Sequence, residues 1–294
     1  MDHTTNKDYH HLVLKPNFTT RKEVYSRVIN LQEIQGLTWR LMIQNVRRPS
    51  VFVSGVIQPL LWLLLFSALF HNAPIQLFTS TTRYSNFLGS GVIVFTAFTG
   101  ALNSGLPIMF DREFGFFNRI LSSPIYSKSS IVIASLASIF VSGYLQVTCI
   151  MYTNHLQGNI IRDLKSIIVI LIILLLLSSI VTVVSLILAF ILPGHIELLA
   201  CILLLNLPIL FSSTALAPLA FMPSWLQFIA SINPLTYAIE GIRYTYSNTY
   251  SLQDTVFINV WGKVTLEHIL STLSITSIGT ILISFFCISH KFED

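Results

Sequence analysis

The chain has 294 residues, 53% of them hydrophobic and only 10% charged, with a formal net charge of +4. Soluble domains carry about 25% charged residues, so this composition excludes a large soluble enzyme or nucleic-acid-binding domain and points to a membrane body. The positive excess then reads as membrane orientation and contact with anionic lipid.

The first 50 residues are polar and basic, without the early apolar core of a cleavable signal peptide. The first spanning segment is expected to serve as its own insertion signal. Between Arg21 and Arg48, Val24, Val28, Leu31, Ile34, Leu37 and Leu41 recur at helical spacing among basic residues and Trp39. A basic amphipathic helix beside a first span tends to lie in the interface plane. Residues 1–50 are thus expected to form an inner arm, and 51–294 the transmembrane domain.

Six spans are expected, near 51–70, 87–110, 130–152, 167–192, 198–222 and 269–289, because each is apolar and free of Asp, Glu, Lys and Arg. A bilayer core about 30 Å thick needs roughly 20 such residues in a helix. Helix is the required form, since lipid offers backbone amides no partners. The second span is unusual in holding Gly89, Gly91, Gly100, Gly105 and Pro107. Its Ala97, Ala101 and Gly105 form a small-residue stripe of the kind that lets helices approach closely. Cys149, Cys201 and Cys287 all fall in apolar runs without metal-site spacing and read as small buried hydrophobes.

Two stretches are not spans. Residues 111–128, DREFGFFNRILSSPIYSK, are charged at the start and aromatic after it. A helix from Arg112 to Leu121 would align Phe114, Phe117 and Leu121 on one face, with Pro124 stopping it. Residues 214–244 carry Pro218, Pro223 and Pro234. The piece between Pro223 and Pro234 is too short to cross a bilayer, and Trp225, Phe228, Ile229 and Ile232 recur in it at helical spacing. It is expected to be a re-entrant or interfacial helix on the outer side, with Glu240 and Arg243 one turn apart and able to pair beyond it.

These two stretches resemble those of the membrane subunits of ABC-2-type ATP-binding-cassette exporters. The first resemblance rests on Arg112-Glu113, Gly115, Leu121 and Ser123-Pro124-Ile125. The second rests on Phe221-Met222-Pro223, Trp225-Leu226, Asn233-Pro234-Leu235-Thr236-Tyr237 and Arg243. Met222 departs from the direct Phe-Pro of many members. The run from Pro223 to Arg243 looks most like cyanobacterial and plastid-encoded members. The resemblance implies an all-α polytopic permease working as a homodimer and exporting a lipid-like or otherwise amphipathic substrate. It makes 111–125 the coupling helix that docks on a separate ATPase subunit, with Arg112, Glu113, Gly115, Phe117, Leu121 and Pro124 as its marked positions. It makes Pro223, Trp225, Asn233, Pro234, Tyr237, Glu240 and Arg243 the outer motif. A plastid membrane, or a bacterial plasma membrane, is the expected location.

Missing motifs sharpen this reading. No G-x-x-x-x-G-K-[ST] occurs, so ATP would be bound and used by the partner and not by this chain. There is no H-E-x-x-H and no nucleophile elbow; no cofactor, metal or enzymatic activity of its own is expected. The spans hold no charge nearer than Asp111 and Glu197 at their ends, which argues against ion-coupled transport. A stand-alone secondary transporter and a non-transporting membrane assembly factor stay open as alternatives.

Twelve of the 17 Lys and Arg residues lie in the N-terminal arm, the loop between spans two and three, and the C-terminal tail. The positive-inside rule places that side, and both termini, in the cytoplasm or stroma. Protease added to the outside of sealed right-side-out vesicles is therefore expected to leave the N-terminal arm intact; clipping of that arm would reverse the topology.

Overall fold

Proline punctuates the chain. Pro49 opens α2 (Pro49–Leu69) and Pro234 opens α9 (Pro234–Tyr246), first-turn positions where a missing N–H costs nothing. Pro223 stands just before α8 (Ser224–Ile232). Leu192, forced into the extended region ahead of Pro193, stops α6 (Leu164–Ile191). The computed structural model describes residues 24–47, 49–69, 84–116, 129–156, 163–246 and 254–291. The other elements are α1 (Val24–Val46), α3 (Tyr84–Leu102), α4 (Gly105–Glu113), α5 (Ser129–Leu156), α7 (His195–Phe211), a 3-10 turn at Leu219–Phe221, and α10 (Leu266–Lys291). An antiparallel hairpin, β1 (Thr255–Asn259) and β2 (Gly262–Thr265), joins α9 to α10.

Among the described residues, five helices are long and apolar enough to cross a bilayer: Phe52–Leu69, Phe87–Glu113, Ile133–Leu156, Leu164–Ile191 and Leu266–Ser284. The segment expected as a span over 198–222 is instead the 17-residue α7. It rises about 25 Å, at the short limit for a crossing. At its end Ser213 N–H bonds Leu210 O at 3.0 Å, one residue tighter than an α-helical bond, and the hydroxyls of Ser212 and Ser213 bond the carbonyls of Ile209 and Leu210.

The most apolar of the long helices, α6, is the centre of the bundle, with α3, α4, α5, α9 and α10 packed around it. Ile170, Ile173, Leu174, Leu177 and Leu186 are fully buried along its length. By contrast α2 touches α3 and α5 but leaves Val53, Ile57, Leu61, Leu64 and Leu65 exposed, as suits a face bathed in hydrocarbon. The amphipathic α1 forms as expected. It runs beside α5 in the same direction: Leu37 packs on the cluster of Ile108, Ile131, Leu186 and Phe190, and Asn45 donates to Ser138 at 3.5 Å. Leu41 is buried and Ile34 half-buried, whereas Leu31 and Trp39 face outward; the side chains of Val24 and Val28 lie outside the described residues.

The second span is jointed. Pro107 has no N–H to give the carbonyl of Asn103, and its ring crowds that carbonyl. The helix therefore breaks at Asn103-Ser104. Leu106 N–H bonds Asn103 O at 3.2 Å and Ser104 N–H bonds Ala101 O at 3.2 Å, both one residue tighter than an α-helical bond. This leaves the Leu102 carbonyl and the Gly105 N–H without helical partners. Ser185 of α6 takes both: its hydroxyl donates to Leu102 O at 2.6 Å and accepts from Gly105 N at 3.0 Å. A β-carbon on Gly105 would stand 2.5 Å from the Ser185 carbonyl oxygen. The stripe of Ala97, Ala101 and Gly105 is thus used within the chain, buried in the contact of the second span with its neighbours.

Gly105→Ala is expected to lower stability in detergent by about 1–3 kcal/mol, through overpacking of two backbones. Gly36→Ala, in an open stretch of α1, is expected to be neutral or to stabilise by about 0.5–1 kcal/mol. Thermal unfolding of the two purified variants beside the parent chain checks the contrast.

Candidate functional site

Beyond the joint, α4 ends in three consecutive charged residues, Asp111-Arg112-Glu113. Successive side chains on a helix point about 100° apart, so each meets a different element. Asp111 forms an ion pair with Arg40 of α1, whose guanidinium also lies 4.3 Å over the Phe116 ring. Arg112 reaches the end of α6 and donates to the carbonyls of Ala189, Phe190, Leu192 and Pro193 at 2.7, 2.9, 2.5 and 3.3 Å. Ala189 and Phe190 belong to the last turn, where intrahelical donors run out and the helix dipole also favours a cation, and Leu192 and Pro193 lie just past it. Glu113 meets His195, the first residue of α7, with Oε2 2.6 Å from Nδ1, and Phe110 packs on the same imidazole at 5.2 Å.

The helix expected from Arg112 to Leu121 does not begin there: Arg112 and Glu113 close α4. The stop is Gly115, in the left-handed region at φ 73°, with its N–H on Arg112 O at 3.3 Å. Glycine adopts that conformation without a β-carbon penalty. Phe114, 76% exposed, projects from this end. Phe117, Leu121 and Pro124 lie outside the described residues.

At the opposite end, the outer motif builds a second junction. Pro223 and Pro234 bracket the nine-residue α8, the short helix the prolines led us to expect. Asn233, between α8 and α9, does three things: its amide donates to Ile209 O at 2.8 Å and Ser212 Oγ at 3.1 Å, and its carbonyl oxygen accepts from Leu235 N at 3.0 Å. It thereby closes the end of α7 and caps α9 with one side chain. Glu240 and Arg243 pair, as their spacing suggested, and both are nearly buried. Arg243 also donates to Thr214 O at 3.0 Å and Phe87 O at 3.4 Å, and stacks 3.7 Å above the Phe87 ring. This ties α9 to the start of α3 and to the turn after α7. Tyr237 donates to Ser231 O at 2.8 Å and accepts from Asn259 of β1 at 3.2 Å. Burial pushes its phenol above the usual value, with the Asn259 bond opposing, so it stays neutral at physiological pH. Met222 is buried, and its carbonyl accepts from Gln227 at 2.8 Å; Trp225 faces outward.

Sequence reasoning did not find Ser185, Arg40, His195 or Asn259. Ser185 had one signal, a hydroxyl among Ser178, Ser179 and Thr182 in an otherwise aliphatic run. The other three are joined to their partners across 71, 82 and 22 residues, and no local pattern carries such pairings.

A bundle of apolar helices around one central span, with a charged junction at one end and two short helices at the other, defines an all-α polytopic membrane protein. Residues 32–247 match the family model described as ABC-2 type transporter, and the chain belongs to that family. It is 54% identical over 263 residues to the protein named as a ycf38 transport permease in Porphyra purpurea, covering 88% of this chain and 90% of that one. The same-named proteins of Pyropia yezoensis and Cyanophora paradoxa are each 52% identical, covering 85% and 74% of this chain and 86% and 76% of their own. The family and these plastid-bearing sources fit a plastid or bacterial membrane. The matched region runs from within α1 to just past α9, so both junctions lie inside it.

Arg112→Ala strips four carbonyls of their donor and is expected to cost about 2–3 kcal/mol of stability. Arg112→Lys should recover less than half of this, because one ammonium cannot span four acceptors as a planar guanidinium does. Unfolding midpoints of both variants in detergent measure the difference.

Proposed function

We propose that the chain is the membrane subunit of an ATP-driven exporter. A separate ABC ATPase docks on the segment 111–125, and a second copy of this chain completes the transport path. The observation that carries this reading is the three-way tie at Asp111-Arg112-Glu113. A force applied to the exposed end of α4 reaches α1 through Arg40, the central span through Arg112, and α7 through His195. Closure of two ATPase subunits would thus tilt several helices together and switch the dimer between inward- and outward-open states. The substrate is lipid-like or amphipathic: the expected spans hold no charge nearer than Asp111 and Glu197 at their ends, and a path without charges suits charged solutes poorly. ATP is bound by the partner, and this chain needs no cofactor of its own.

The test uses the permease co-purified with its ATPase and reconstituted in proteoliposomes. Glu113→Ala removes the tie to His195, and Gly115→Pro forbids the positive φ at the end of α4. Both variants are expected to insert normally, yet to lose ATP-dependent movement of a fluorescent lipid analogue by tenfold or more while ATP hydrolysis persists. Transport unchanged in both overturns the coupling role. Uphill transport by the permease without an ATPase overturns the whole reading.

A further inference from the structure

The hairpin between α9 and α10 lies beyond the matched family region, and its construction is unusual for a turn between membrane helices. Ile258 pairs with Lys263 and Asn259 with Gly262, leaving Val260-Trp261 as the connecting residues. Asn259 Oδ1 accepts from Trp261 N at 2.8 Å, and Gly262 turns the chain at φ 126°. One side of the hairpin is fastened to α9: Phe257 meets the Tyr237 ring edge-on at 5.9 Å, Asn259 donates to the Tyr237 hydroxyl, and Val264 is buried. The other side presents Ile258, Val260 and Trp261 outward, 68%, 56% and 67% exposed. Exposed turn tips in water are normally built from Gly, Asn, Asp, Ser and Pro; this one carries a β-branched residue and an indole.

The tip does not stand alone. Phe228 of α8 lies 6.0 Å from the Trp261 ring, and α8 turns Trp225, Phe228 and Ile232 outward beside it. No residue of α8 is charged. The two elements therefore make one apolar, tryptophan-rimmed surface. Its level in the bundle is fixed from both sides. The spanning helix α10 begins at Leu266, five residues past Trp261, so an extended chain holds the indole within about 17 Å of that span. On the other flank Asn233 ties the end of α8 to the last turn of α7. The surface thus sits where helices leave the hydrocarbon, the level at which tryptophan rings and uncharged amphipathic faces settle among headgroups.

We propose that α8 and the β1–β2 tip form a single membrane anchor. Trp261 and Trp225 are seated in the headgroup region of the leaflet opposite the Asp111–Glu113 end, and the occupant is lipid of the bilayer that the chain itself spans. The exposed Lys263 beside the tip is placed to meet lipid phosphate. Because the hairpin is fastened to Tyr237, the anchor holds α9 at constant depth. The proposal rests on the membrane class of the protein and not on its coupling to an ATPase.

The chain has four tryptophans, so Trp39→Phe, Trp62→Phe and Trp225→Phe together leave Trp261 as sole emitter in the full-length protein. In proteoliposomes, phosphatidylcholine brominated at carbons 6 and 7 is expected to quench this emission at least twofold more than the 11,12-brominated lipid, and aqueous iodide to quench it little. The difference between the parent chain and Trp261→Phe alone gives the same quantity should the triple variant misfold. Quenching by iodide without quenching by either bromolipid puts the tip in water and overturns the proposal. Protection from both puts it against protein, a second copy included, and overturns it equally. Stronger quenching by the deeper bromine overturns the headgroup placement.

Discussion

A hydrocarbon interior supplies no hydrogen-bond partner, so each place where a membrane helix breaks or ends must find one within the chain. That constraint organises the whole molecule. The joint between α3 and α4 is closed by the Ser185 hydroxyl, and the end of α6 by the Arg112 guanidinium. The end of α7 is closed by the Asn233 amide, and the turn after it by Arg243. In these four cases the partner comes from another element, so satisfying the backbone and fastening the bundle are the same act.

The two junctions are linked through one stretch of chain. Phe87, near the start of α3, lies under Arg243, and Glu113, at the end of α4, meets His195. Between them the second span runs against α6 over its length. The Asp111–Glu113 junction holds α1, α6 and α7 through three adjacent side chains, whereas the one at Asn233 and Arg243 holds α3, α7 and α9 mainly through two. A disturbance at either end is thus delivered to elements that reach the other, with α6 as the common neighbour.

The apolar bundle was legible in the sequence because charge is absent from long runs, a signal that survives without any knowledge of packing. The short helix between Pro223 and Pro234 and the Glu240–Arg243 pair were legible for a similar reason: proline and one-turn spacing act locally. What was not legible depended on distant partners or on a single backbone angle. The expected start of a helix at Arg112 failed because the helix was already under way from Gly105 and was ended by Gly115, whose positive φ no periodicity announces. The expected span over 198–222 is shorter because the chain tightens at Ser213 and the amide of Asn233, 24 residues on from Ile209, takes the Ile209 carbonyl. The hairpin over 255–265 left a readable trace in Thr255, Val256, Phe257, Ile258, Val264 and Thr265, a β-branched and aromatic cluster around Gly262.

The break in the second span has a mechanical meaning. Nineteen residues of α3 and nine of α4 meet at a spot bridged by the Ser185 hydroxyl and by the Leu106 N–H to Asn103 bond, with no β-carbon on Gly105 to fill the gap. A hydroxyl bonded to both sides of a gap fixes how far apart the pieces stand but not the bend between them. Asp111, Arg112 and Glu113 tie the nine-residue piece to α1, α6 and α7, so those neighbours set the bend, and a shift of any of them is passed to the joint.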